Sequence, residues 1–265
     1  MLRQRVITAA ILLPLFIGAV FFLPPLGWGI FALLLAAPAA YEWGRLVSLK
    51  PAQTWAFTAA VSVSCLTLLA LNGGPAQTAL LAAGALFWFV AAPWMLVTRD
   101  RQRSTPLLLS TGWLVLVSAW LALVVLQENA ARMLVLVGVV WVADSAAYFA
   151  GRRFGRRKLA PTISPGKTWE GVAGAVLAVA VYYLIVWIVV AAPFVQGSPL
   201  VDAVLVVMMT VLSIEGDLFE SWLKRRVGVK DSGTILPGHG GMLDRIDAVL
   251  AVVPLAALVH VALRT

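Results

Sequence analysis

The sequence predicts an all-α, polytopic integral membrane protein, and three observations carry that reading. Hydrophobic residues make up 62% of the 265-residue chain and charged residues 12%, against about 45–50% and 25% in soluble domains. Mean hydropathy is +0.94. About nine apolar segments follow one another, each near the roughly 20 residues that a helix needs to cross hydrocarbon.

Those segments run approximately 6–23, 26–46, 55–72, 77–98, 107–126, 133–150, 171–194, 200–216 and 248–264. Pro24-Pro25, the run Asn72 to Pro75, and Gly197-Ser198-Pro199 separate several of them, because proline and glycine interrupt regular structure. Lysine and arginine test the count independently, since basic residues are retained on the cytoplasmic side. With the N-terminus inside, the inner loops hold 18 of the 20 basic residues, and Arg132 and Arg264 alone fall outside. Nine spans with a cytoplasmic N-terminus and an outer C-terminus are therefore expected. MLRQR followed by a long apolar run imitates a secretion signal, but the run leads into PPLGW rather than a small-residue cleavage site, so an uncleaved first span is expected.

This layout also accounts for the net charge of +8, and no nucleic-acid partner is expected. The single cysteine, Cys65, sits in an apolar run and reads as a packing residue. Residues 1–265 read as one membrane-embedded domain, with the chemistry in a portion at about 140–250.

Six of the chain's 12 carboxylates fall between Glu215 and Asp247. The eighth apolar segment is short: 15 residues from Leu200 to Ile214 cover only about 22 Å at 1.5 Å per residue. Its helix is expected to run on through the carboxylates towards Arg226. There Asp217, Ser221 and Lys224 share one stripe, while Leu218, Phe219 and Trp222 lie on another. Carboxylates at hydrocarbon depth are costly unless they face a cavity or a partner; the bland alternative is an interfacial helix with solvated charges.

Gly238, Gly240 and Gly241 surround His239, and Asp244 and Asp247 share a face at the start of the last span. Hard carboxylate oxygens suit Mg²⁺, which often bridges to substrate phosphates. Cations beside them point to phosphoryl or nucleotidyl transfer. His239 has no second histidine or cysteine near it, so a zinc site is not expected. Upstream, Asp144 and Tyr148 lie one helical turn apart, Asp144 being either a partner for the following arginines or a substrate contact. Ser164, Lys167 and Thr168 precede the seventh span. GKT there resembles the end of a Walker A loop, but Pro161 stands where that pattern needs glycine, which argues against an ATPase. Glu42, in AAYEWGRL, reads as an interhelix or Arg45-paired carboxylate.

The run SWLKRRVGVKDSGTILPGHGGMLDRID, Ser221 to Asp247, resembles the signature of the phosphatidate cytidylyltransferases, the CDP-diacylglycerol synthases. Its fixed positions are met at Ser221, Lys224, Arg225, Lys230, Asp231, Pro237, His239, Gly240, Gly241, Asp244, Arg245 and Asp247. The stretches ADSAAYFAGRRFGRRKLAP and SPGKTWEG are similar to that family too, and the likeness is detailed from about Asp144 to Asp247. The resemblance implies transfer of CMP from CTP to phosphatidic acid, with release of pyrophosphate. It implies Asp217 and Asp244 as metal ligands. Lys224, Arg225, Lys230 and Arg245 would hold phosphates, and Ser221, Asp231 and Asp247 would line the same site. His239 would position the loop or a phosphate, and Asp144, Ser164, Lys167 and Thr168 would contact nucleotide. Implied as well are Mg²⁺ with a K⁺ ion, a homodimer in the lipid bilayer, and a bacterial inner membrane with the site facing the cytoplasm. Two alternatives stand beside it: a CTP-dependent lipid-alcohol kinase and an ion-coupled transporter.

Overall fold

A computed structural model describes residues 2–71, 74–98, 104–190, 198–235, 238 and 240–263. The helices, in chain order, are α1 (Leu2–Phe22), α2 (Pro25–Leu46), α3 (Pro51–Ala70), α4 (Pro75–Leu86), α5 (Ala92–Thr98) and α6 (Thr105–Leu126). There follow α7 (Ala130–Phe154), α8 (Trp169–Val190), α9 (Pro199–Arg226) and α10 (Leu243–Ala262). A π-helical turn, Phe87–Ala91, joins α4 to α5. Five helices carry proline in their first turn, where the missing N–H has no helical partner to lose. The punctuation read from sequence thus becomes helix starts.

Seven helical stretches are long and apolar enough to cross a membrane, among them Pro75–Thr98, Thr105–Phe154 and Pro199–Arg226. The 50-residue stretch Thr105–Phe154 holds α6 and α7, joined by a 3₁₀ turn. Asn129 breaks it with non-helical backbone angles, and its side chain accepts from Arg132 N to cap α7. Within α1, Ala10–Phe22 forms an apolar helical stretch among the described residues. As expected, α9 continues past Ile214 to Arg226.

The fold is all-α in class, as expected, with one local addition: β1 (Lys158–Ala160) and β2 (Ser164–Thr168) form an antiparallel hairpin between α7 and α8. Its strands are too short and too polar to show an alternating pattern, so sequence reading leaves it a loop.

Interhelical contact rests on small residues and on indoles. Trp43 Nε1 donates to Leu108 O at 2.9 Å, Trp28 Nε1 to Leu123 O at 2.9 Å and Trp120 Nε1 to Gly29 O at 3.0 Å, stitching α2 to α6. The Trp43 indole lies against Gly112, and Gly216 of α9 fits against the Asp247 carbonyl of α10. Small residues of this kind let helices in lipid approach closely. A methyl group at Gly112 would overlap the indole, so Gly112→Ala is expected to destabilise the bundle by about 1–3 kcal/mol, read as a lower melting temperature in detergent. Phe219 anchors a cluster with Phe87, Trp88 and Trp222, at centroid distances of 5.6, 5.5 and 5.4 Å. The stripe of α9 opposite Asp217 therefore packs inward and fixes how α9 presents its polar side.

Candidate active site

The C-terminal halves of α7 and α9, the hairpin and the start of α10 enclose a cavity of about 810 Å³, within the usual range for ligand sites. Asp144 reaches it from α7; Ser164, Lys167 and Thr168 from β2; Asp217, Ser221, Lys224 and Arg225 from α9. Lys230 and Asp231 come from the loop after α9, and Asp244, Arg245 and Asp247 from α10. His239 and Pro237 lie outside the described residues, as do Arg99, Arg101 and Arg103.

Within this group the charges are paired selectively. Lys167 Nζ sits 2.8 Å from Asp217 Oδ2 and donates to Ile214 O at 3.1 Å, tying the hairpin to α9. Ser221 Oγ donates to the other Asp217 oxygen at 3.3 Å, as their one-turn spacing allows. Asp144 accepts from Ser213 Oγ at 3.3 Å and takes no arginine partner among the described residues. Asp247 lies within electrostatic reach of both Asp217 and Asp144, and all three carboxylates line the same cavity.

Lys224 and Asp244 form a second unit. Lys224 Nζ is gripped by Glu220 and by Asp244 Oδ1, the latter at 2.6 Å. Asp244 Oδ2 accepts from Ser232 N at 2.9 Å and Gly241 N at 2.8 Å. Both Asp244 oxygens are thereby engaged, and the lysine holds two helices together.

Thr168 is buried, and its hydroxyl accepts from Gly171 N at 3.1 Å, capping the first turn of α8. It wedges against Gly151, Gly155 and Gly171.

Glu42 was not among the predicted site residues. Only 1% exposed on α2, its carboxylate accepts from Ser232 Oγ at 2.8 Å, Met242 N at 2.9 Å and Leu243 N at 2.8 Å. Met242 supplies no side-chain cap to α10, so Glu42 caps that helix from another one, where its charge meets the positive end of the helix dipole. The reading as an interhelix carboxylate is right in kind; its partners are the glycine loop and not Arg45. Gly233 and Gly241 pack against it closely enough that a side chain on either would strike the carboxylate. Together Glu42 and Asp244 hold both ends of the loop that carries His239. Glu220 was also missed, although a carboxylate one turn from Lys224 on an apolar helix is itself a signal.

A bundle of apolar helices that gathers carboxylates, lysines and arginines around a cavity at one end defines a membrane-embedded, phosphate-handling protein. Comparison with known proteins makes this specific: residues 3–263 match the model of the cytidylyltransferase family, and the chain belongs to that family. It is 37% identical to a phosphatidate cytidylyltransferase of Pseudomonas aeruginosa, over 97% of this chain and 96% of that protein. It is 34% identical to one from Haemophilus influenzae, over 96% of each chain. A Brucella suis phosphatidate cytidylyltransferase is 50% identical over 46% of this chain and 44% of its own.

Proposed function

We propose that this protein is a phosphatidate cytidylyltransferase. A phosphate oxygen of phosphatidate attacks the α-phosphorus of CTP, the bond from that phosphorus to the α–β bridging oxygen breaks, and CDP-diacylglycerol and pyrophosphate form. The supporting observation is the cavity itself, where carboxylates from three helices meet lysines and arginines at the bundle's polar end. Such a site offsets charge on transferring phosphates by fixed cations and dipoles. A phosphate monoester is already anionic near neutral pH, so the attacking oxygen needs no strong base.

The same reading includes Mg²⁺. Among the described residues no three acidic, histidine or cysteine side chains form a ready metal cluster, and Asp217 is paired with Lys167. The donor chemistry nevertheless fits, since Asp144, Asp217 and Asp247 offer only hard oxygens. Asp217 and Asp247 would hold the ion; Asp244, its oxygens engaged by Lys224 and two amides, serves as a loop anchor. Bound there, Mg²⁺ supplies Lewis-acid stabilisation of phosphate charge. A K⁺ ion and a homodimer are carried by the family resemblance alone.

We further assign nine crossings with a cytoplasmic N-terminus, in the inner membrane of a bacterium. The loop charges support this, because 18 of 20 basic residues then lie inside, in agreement with the positive-inside rule. CTP would reach the cavity from the cytoplasm. Purified protein given CTP and phosphatidate is expected to release pyrophosphate in step with phosphatidate consumed. An ion-coupled transporter would release none.

A further inference from the structure

Trp141, Ser145, Tyr148 and Arg152 share one face of α7 and are all exposed. Eleven residues separate the ends of this stripe, about 16 Å along a helix. At the deep end Trp141 meets Phe16 of α1, ring centroids 6.4 Å apart. At the shallow end Tyr148 and Arg152 line the reaction cavity, and Arg152 donates to the Tyr148 hydroxyl at 3.1 Å. The stripe thus runs from an aromatic, apolar end at hydrocarbon depth to a cation at the cavity wall.

Two of the cavity's cations are already neutralised. Lys167 and Lys224 are held by carboxylates. Arg152 pairs with no carboxylate among the described residues; its neighbour is a neutral phenol. Its charge is available to an anion, and tyrosine beside it is a side chain suited to the boundary between hydrocarbon and water. A ligand matching the stripe has an anionic head and apolar chains. A nucleotide has no acyl chains to lay along this stripe, and Lys230 and Arg245, which also line the cavity, remain for its phosphates.

We propose that Tyr148 and Arg152 form the subsite that receives the phosphomonoester of phosphatidate, with its acyl chains lying along α7 past Trp141. The inference rests on the proposed cytidylyl transfer and adds which wall takes which substrate. Arginine is suited to this task, since guanidinium–phosphate hydrogen bonds are charge-assisted and often bidentate.

The test is surface-dilution kinetics in detergent micelles of defined phosphatidate mole fraction. Arg152→Ala is expected to raise the KM for phosphatidate about tenfold or more, with the KM for CTP changed less than about twofold and partial recovery in Arg152→Lys. Tyr148→Phe, which removes only a hydroxyl, is expected to move the same ratio in the same direction by a smaller factor, and it decides the matter if Arg152→Ala does not accumulate. An equal rise in the KM for CTP, or an unchanged KM for phosphatidate in a folded variant, overturns the subsite. Failure of the wild-type protein to make any CDP-diacylglycerol would instead overturn the reaction on which it rests.

Discussion

Asp217→Asn and Asp247→Asn are each expected to lower turnover by about a thousandfold or more, while the protein stays folded in detergent. The magnitude follows from removing a metal-holding charge whose effect is concentrated in the transition state. Either amide keeps the shape of the side chain, so the packing of α9 against α10 survives. Asp217→Asn also frees Lys167, which keeps its hydrogen bond to Ile214 O; the hairpin should therefore remain docked. The contrast with Asp244 is the informative part. Asparagine there can accept from only one side of the Lys224, Ser232 and Gly241 set, so Asp244→Asn should lose stability together with activity. Melting temperature and turnover, measured on all three variants with Mg²⁺ varied, separate the roles. Turnover within tenfold of wild type for Asp217→Asn and Asp247→Asn would sink the metal assignment.

Glu42→Ala should produce the largest loss of stability. It leaves the Ser232 hydroxyl and two amides at the start of α10 without their acceptor, and leaving a buried donor unsatisfied costs about 1–3 kcal/mol for each group. Glu42→Gln fills the same space but turns an N–H₂ towards one of three donors, so a smaller loss is expected. In both variants, backbone amides from Ser232 to Leu243 should exchange faster with deuterium, while those in the middle of α6 keep their protection. Uniform exchange across the bundle, or unchanged exchange in the loop, would contradict the anchoring role.

Much of this architecture was legible in the sequence because lipid imposes a simple code. Apolar length gives the helices, prolines mark five of their starts, and the i, i+4 spacing of Asp217 and Ser221 survives as a hydrogen bond. What escaped depends on distance along the chain. No local pattern says that Glu42 caps a helix that begins about 200 residues later. Nor does spacing show that Lys224 and Asp244 spend their charges on each other. That Thr168 also caps α8 is not visible either, because a hydroxyl after glycine and lysine reads equally as a phosphate contact. The hairpin was hidden for another reason: a five-residue strand with glycine and proline inside it carries no periodicity to read.

The reaction itself is most directly tested by following CTP labelled in two positions, with phosphatidate as acceptor and purified protein. Cytidylyl transfer predicts that label in the α-phosphate enters the chloroform-soluble lipid and label in the γ-phosphate leaves as pyrophosphate. Label from the γ-phosphate in the lipid, with CDP in the water phase, would identify a CTP-dependent lipid kinase and contradict this account.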